Sequence, residues 1–483
     1  MFPKSLLKIT STLLLLCIGS PYPARAEAAD TKPICQTQLN SAVDAVTKRG
    51  EFTRMSWGIS VKNLVSGQNI YNNENSQKYF IPASTAKLLT TAAALKELGS
   101  DFRIRTSIYQ DDNSILRIVG RGDPSLTFIQ LQELGQQLKQ QGINVINQLV
   151  IDDTYFQGEH VHPSWQWEDI QADYGAPINS LILNQNTSLL TISPARVGQP
   201  LTVRWAEPIN AYQWRLENNS VTTKTNHQSS LQVRRALTGA VLQVEGEMPF
   251  NSPPQTRAIA VMNPTENFLL HFRHTLQTAG IAVKQAISGT ASNDKLELAA
   301  LESPPLSELL VETNANSNNL YAEALLRAIA VNRLTHAKEQ NTGDVGLEVV
   351  KNTLTPLGVD AKGYLLVDGS GLSRKNLITP TALVETLAAM RRSPQGDIFT
   401  ASLAIAGVNG TLKNRFVNTP AVGVVRGKTG TMTGVVTLAG YVNTPNYPPL
   451  AFSILVNQSH QPARVVRQGM DEIVLLLTQL RNC

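Results

Sequence analysis

Cys483 is the last residue of the chain, Cys35 lies near its start, and no cysteine separates them. The one other cysteine, Cys17, sits in the apolar run Leu13-Leu14-Leu15-Leu16-Cys17-Ile18, which follows Lys4 and Lys8 and precedes Ala24-Arg25-Ala26. That order reads as a secretory signal peptide, residues 1–26, cleaved after Ala26. The run is shorter than the ~20 residues a spanning helix needs, which argues against the alternative of an uncleaved anchor. Leu16 stands where lipoprotein processing requires a small residue. Export to an oxidising compartment then leaves two cysteines, enough for one bridge. The expectation is a Cys35–Cys483 disulfide, with two free thiols as the alternative. Such a bridge requires both ends of the mature chain to lie in the same domain.

Length adds a second constraint. At 483 residues the chain exceeds one compact core, and about three domains are expected. Hydrophobic residues make up 42% and charged residues 16%, without low-complexity tracts, so the material is globular rather than disordered. No fixed-period repeat is present. The net charge of +5 loses three positives with Lys4, Lys8 and Arg25. The remaining cations form no cluster with aromatics, so no nucleic-acid partner is expected. No later stretch is apolar enough to span a bilayer.

Local patterns divide the chain by texture. Ser56 to Tyr71 alternates around Ser66-Gly67 as a β-hairpin, and Ala83 to Leu98 reads as a helix stopped by Gly99. Arg121-Gly122-Asp123 reads as a turn before a helix at Leu126 to Gln141. Gln148 to Asp153 reads as a buried strand. Ser188 to Glu247 alternates β-branched and polar residues and reads as a separate, mostly β module. A strand at Arg257 to Met262 and a helix at Thr265 to Ala279 resume the mixed texture, followed by helical signals at Leu306 to Leu334 and Gly346 to Leu357. Three strands, Val422 to Arg426, Met432 to Val442 and Leu450 to Val456, precede a closing amphipathic helix at Ala463 to Leu480. Helices and an antiparallel sheet therefore share the final section.

The stretch "IPASTAKLLT" contains Ser84 and Lys87 at S-x-x-K spacing, one helical turn apart on one face. The same spacing recurs at Ser5/Lys8, inside the signal, and at Ser292/Lys295, in a charged surface stretch. A serine hydroxyl becomes a competent nucleophile when a base takes its proton, and lysine is a base only when neutral. Burial and a second nearby cation both lower a lysine pKa. Amide N–H groups in a first helical turn would also stabilise a developing oxyanion. Two further elements follow in order: Ser317-Asn318-Asn319, and Lys428-Thr429-Gly430-Thr431 lying between two strands. S-x-x-K with S-D-N and K-T-G is the signature set of penicillin-binding proteins and class A β-lactamases, and Ser317-Asn318-Asn319 keeps the serine and the asparagine two apart.

With "RGDPSL" at Arg121, "YGAPINSLILNQN" at Tyr174, "SNNLYAE" at Ser317 and "DGSGLSRKN" at Asp368, the mature chain resembles the D-alanyl-D-alanine carboxypeptidase/endopeptidase family of class C low-molecular-mass penicillin-binding proteins, peptidase family S13. More than two hundred residues separate Ser84 from Ser317, far more than in class A β-lactamases, and must hold inserted domains. The resemblance implies an α+β fold: a serine β-lactamase/DD-peptidase-like catalytic domain, an antiparallel sheet flanked by helices, with two nested inserted domains, the inner one mostly β. The expected division is 27–97 and 304–483 for the catalytic domain, 98–187 and 257–303 for an inserted α/β domain, and 188–256 for the nested β-rich domain.

The resemblance also implies roles. Ser84 would be acylated by the penultimate D-Ala carbonyl, with Lys87 as its base. Ser317 would relay protons to the leaving amine beside Lys428, and Asn319 would hold a substrate amide. Thr429 and Thr431, flanking Gly430, would bind the terminal carboxylate next to Lys428. Backbone N–H groups of Ser84 and Thr431 would form the oxyanion hole. Asp169, in Trp165-Gln166-Trp167-Glu168-Asp169, is the candidate contact to the stem peptide's diamino acid; the alternative is an exposed acid beside two core tryptophans. Asp368 to Arg374 reads as a tight positioning turn. His160-Val161-His162 lacks a metal-site pattern and reads as a surface loop, so no metal or cofactor is expected. The implied activity is an exported serine D-Ala-D-Ala carboxypeptidase and DD-endopeptidase acting on peptidoglycan stem peptides in the periplasm or cell-wall space and acylated by β-lactams. The alternatives are a β-lactamase or esterase on the same scaffold, or a catalytically silent wall-binding homologue.

Overall fold

A computed structural model describes residues 33–112, 115–226, 228–236, 239–290, 296–333 and 340–483. The expected signal peptide, the pairs Ser5/Lys8 and Ser292/Lys295, and Leu334 lie outside the described residues.

The C-terminal apolar runs build the centre of the molecule. Val435–Val442 and Leu450–Asn457 bury every residue, because the sheet they form is covered on both faces. Its six strands are all antiparallel, in the order Ala404–Ile405, Val425–Met432, Val435–Val442, Leu450–Asn457, Ser56–Asn63, Asn69–Asn72. Side chains alternate between the faces at the strand period of two. Phe452, Ile454 and Val456 join a core with Leu39 and Val43 of helix Leu39–Thr47 and with Met470, Ile473 and Val474 of helix Ala463–Thr478. Ala451 and Leu455 face the other core, which holds Leu88 and Leu89 of helix Lys87–Leu98, Leu325 and Ile329 of helix Asn319–Arg333, and Leu383 and Leu387 of helix Pro380–Arg392. Each of these buried leucines is worth about 1.5–3 kcal/mol relative to exposure.

The two chain ends meet on this layered unit. Ile34–Cys35 pairs in parallel with Leu480–Arg481, and Cys35 is bonded to Cys483 with their Cα atoms 5.7 Å apart. The bridge closes a loop of sequence separation 448 and restricts the unfolded chain. Reduction, or Cys35→Ser, is expected to cost on the order of 2–5 kcal/mol, read as a lowered midpoint in denaturant titration with and without reductant. An unchanged midpoint would show that the terminal strand pair holds by itself.

Between the segments of the six-stranded sheet the chain forms a second, five-stranded mixed sheet, in the order Ala282–Ser288, Val145–Asp152, Ile115–Val119, Arg105–Asp112, Leu296–Glu302. Helices Phe128–Gln140 and Pro264–Thr278 supply its parallel crossovers and pack Leu134, Leu138, Phe268 and Phe272 onto it. From Asp153 the chain leaves this sheet for two three-stranded sheets, one of Gln255–Ala260, Thr187–Ser193 and Thr202–Trp205, the other of Gln232–Arg235, Val241–Pro249 and Arg215–Thr223. Strand Gln255–Ala260 pairs with Thr187–Ser193 and so runs across the expected boundary between 256 and 257.

Several local expectations change. The helix expected from Ala83 is a 3-10 turn, Ala83–Ala86, followed by the α-helix Lys87–Leu98, because Ala83 has φ +47°. The helical signal from Leu306 is two helices, Leu306–Asn314 and Asn319–Arg333, interrupted where Ser317 takes φ +65°. The K-T-G segment does not lie between two strands: it is inside Val425–Met432, paired to Val435–Val442 with Lys428 opposite Ala439. Tertiary pairing there overrides the low strand propensity of lysine and glycine.

Candidate active site

Ser84 lies on the 3-10 turn where the central sheet, the helical layer and the loop at Gly369–Leu372 converge. The turn is clamped from two sides by residues without a Cβ. At Gly371, which has φ +80°, a Cβ would sit 1.9 Å from the Ala83 carbonyl oxygen; at Gly430 it would sit 2.9 Å from both the Pro82 carbonyl oxygen and the Ser84 nitrogen. Thr437 Oγ1 donates to the Pro82 carbonyl at 2.8 Å and ties the turn to the sheet. Ala83 in the left-handed region costs about 1–3 kcal/mol, and these contacts hold it there.

Lys87, the first residue of the α-helix, is fully buried. Its Nζ is 3.0 Å from Ser84 Oγ, 2.5 Å from Asn319 Oδ1 and 2.7 Å from the Ser370 carbonyl oxygen. Burial lowers its pKa to about 7, although the nearby carboxylates of Asp368 and Glu323 pull the other way. A neutral amine has two N–H bonds and one lone pair. Asn319 Oδ1 and the Ser370 carbonyl take the two N–H bonds, and the lone pair is left facing the Ser84 hydroxyl.

Ser317 and Lys428 form the opposite wall. Lys428, also fully buried, donates to Ser317 Oγ at 2.6 Å and to the Thr429 carbonyl at 2.9 Å. Its pKa is lowered by burial first and by the charge of Lys87 second. Ser84, Ser317, Thr429, Gly430 and Thr431 together line a cleft of about 940 Å3 that continues past Arg415 to helix Ala463–Thr478. The five residues Ser84, Lys87, Ser317, Asn319 and Lys428, drawn from distant parts of the chain, are thus brought to one place.

A buried acidic frame holds the lysine's carbonyl acceptor. Asp368 accepts from the backbone N–H groups of Gly371 and Ser373 at 2.7 and 2.6 Å, from Asn376 Nδ2 at 2.8 Å and from Trp165 Nε1 at 2.9 Å. Glu323 Oε1 accepts from Gly369 and Ser370 N–H, both at 2.9 Å, while its other oxygen pairs with Arg327. The turn therefore positions Ser370 rather than supplying a reacting side chain. In the sequence Glu323 closes "SNNLYAE" with Arg327 four residues on, and this i,i+4 pairing of acid and arginine is the one local signal of the frame.

The long excursion after Asp153 returns to this site. Asn319 Nδ2 donates to the Tyr174 carbonyl at 2.7 Å, so both polar ends of Asn319 are engaged. Ser164 Oγ donates to Ser373 Oγ at 2.6 Å. Asp169 is near this rim: Tyr174 Oη donates to it at 3.3 Å, and burial raises its pKa. Trp165 is core, but Trp167 is exposed and lies under the Arg235 guanidinium, 5.2 Å from ring centroid to Cζ, so only one of the two tryptophans is a core residue.

A buried, deprotonatable lysine on a serine, with a second lysine–serine pair across a cleft and a strand edge beside it, defines a serine acyl-transfer site on a penicillin-binding-type α+β scaffold. The chain belongs to the D-Ala-D-Ala carboxypeptidase 3 (S13) family, whose model matches residues 39–480. It is 32% identical over 494 residues to a D-alanyl-D-alanine carboxypeptidase of Actinomadura sp., covering 98% of this chain and 89% of that one. It is 27% identical over 418 residues to D-alanyl-D-alanine carboxypeptidase DacB of Haemophilus influenzae, covering 83% and 85%. The crystal structure of penicillin binding protein 4 (dacB) from H. influenzae matches with a TM-score of 0.78 at 26% identity, over 90% of this chain and 98% of that one.

Proposed function

We propose that this protein works as a serine D-Ala-D-Ala carboxypeptidase on peptidoglycan stem peptides, through an acyl-enzyme on Ser84. The carrying observation is Lys87: fully buried, with two acceptors for its N–H bonds and its third direction toward Ser84 Oγ at 3.0 Å. Neutral Lys87 takes the Ser84 proton as Oγ bonds to the penultimate D-Ala carbonyl carbon. The oxyanion is received by the Ser84 and Thr431 N–H groups, beside which Gly430 allows close approach of the strand. Collapse breaks the C–N bond, and the proton that Lys87 took passes through Ser317, which Lys428 holds, to the leaving amine, so that Lys87 is neutral again. Water then releases the acyl group with Lys87 as base. Thr429 and Thr431 bind the terminal carboxylate, and Asp169 contacts the diamino acid. Asn319 serves first to orient Lys87, since its amide is already engaged on both sides.

The same reading extends to DD-endopeptidase action and to acylation by β-lactams. It also includes export by the 1–26 signal to the periplasm or cell-wall space, and the nested division of the chain. No helix among the described residues is long and apolar enough to cross a membrane. The test is incubation of the mature protein with labelled penicillin alongside an assay of D-Ala release from a pentapeptide. A long-lived adduct with D-Ala release is expected. Rapid penicillin turnover would favour a β-lactamase, and neither label nor release would leave a silent homologue.

A further inference from the structure

Helix Ala463–Thr478 is amphipathic, and its buried side is accounted for by the core. Its first turns also carry Arg464 and Arg467, and both line the cleft that opens from Ser84 and Thr431. The two acids of the same cleft wall have partners: Asp471 is bonded to Arg415 and Glu472 to Arg49. Arg467 is close enough for its charge to act on Asp471, and it reaches the sheet, where Nη2 donates to Thr431 Oγ1 at 3.1 Å. Thr431 is exposed, and Arg467 is half-buried against it. A guanidinium has five N–H donors in a planar fork suited to a carboxylate, and one bond to a hydroxyl leaves most of them free.

We propose that Arg467 is a further substrate-binding residue, which with Thr431 receives the free carboxylate on the leaving-group side of the scissile bond. This rests on the reading that Thr429 and Thr431 bind that carboxylate. The two lysines of the site are poor substitutes for such a cation. Lys87 and Lys428 are buried and already bonded to protein oxygens, and burial favours their neutral forms. An arginine stays charged at every working pH, so recognition of the substrate anion does not compete with the neutrality that Lys87 needs. Arg464, exposed one turn earlier, adds positive potential at the cleft mouth and steers anionic peptides inward.

The test uses two acyl-D-Ala thioesters of equal intrinsic reactivity, one with a thioglycolate leaving group and one with its carboxamide. Wild-type protein is expected to prefer the acid. In Arg467→Gln this preference should fall about 10- to 100-fold, mainly through KM, as expected for loss of a charge-assisted bond. Arg467→Lys should recover part of it. An unchanged acid-to-amide ratio in Arg467→Gln would overturn the proposal, as would equal losses on both thioesters, which would mark a structural role. If the wild type itself does not distinguish acid from amide while Ser84 is still acylated, the carboxylate reading of Thr429 and Thr431 falls, and this proposal with it.

Discussion

Ser84→Ala protein is expected to take no penicillin label and to release D-Ala at least about 10^4-fold more slowly than wild type, because removal of a nucleophile collapses the whole catalytic set. The hydroxyl's polar partner is Lys87, and Ser84 is only half-buried, so the melting transition should stay near that of wild type. The prediction separates Ser84 from Ser317, the other serine in the cleft. Ser317 Oγ already accepts from Lys428 at 2.6 Å and is placed to pass a proton rather than to attack. Peptide mapping of the labelled wild-type protein should find the adduct on the segment holding Ser84. Label on Ser317, or a Ser84→Ala protein that labels at the wild-type rate, would reverse the two roles.

The second large effect belongs to Lys87. Its neutral form is the active one and its pKa is about 7, so acylation should rise with pH through about 7 and then level off, rather than rising toward the ordinary lysine range near 10.5. Lys87→Arg cannot lose a proton at any working pH and should acylate about 10^3-fold or more slowly throughout, without that limb. Stability carries the same signature with a definite sign. Between about 7 and 10.5 the unfolded chain binds the proton that the folded chain has released, so stability attributable to this group rises with pH across that window. Below it the cost of holding a buried cation is fully present. Pre-steady-state acylation with a chromogenic cephalosporin, followed from pH 5 to 10, measures the first effect. A flat profile through 7 would remove Lys87 as the base.

Much of the site is legible in the sequence, for chemical reasons tied to short range. Ser84 and Lys87 are three residues apart at the start of a helix, so local geometry alone brings the hydroxyl to the amine. Ser317/Asn319 and Lys428/Thr429/Gly430 are similarly compact, and each is recognisable as a fragment. The strand and helix textures are legible where the pattern is plain, as in the continuous apolar run of Leu450–Asn457 and the amphipathic period of Ala463–Thr478. They mislead where the backbone leaves its preferred region. Ala83 and Ser317 take positive φ with side chains that do not encode it, and each breaks an expected helix next to a reacting residue. Surrounding packing imposes both, and sequence-local propensity has no means of reporting it.

Other contributors were invisible for a different reason. The Ser370 carbonyl and the Tyr174 carbonyl act through the main chain, so no residue type announces them. Arg467 is one more charge on an amphipathic helix in the sequence, and only the packing of that helix brings it against Thr431. The sequence by itself determined the three motifs and the order in which they occur, because these depend on residue identity and on spacing within a turn; it left the terminal cysteines as a bridge or two free thiols, and the fold pairs them. Only the tertiary structure decided that Lys87 is wholly buried, that two carbonyl-type oxygens leave its lone pair for Ser84, and that an arginine stands at the strand edge. Burial and bond direction arise from segments hundreds of residues apart packing together, and desolvation by that packing is what moves a lysine toward neutrality.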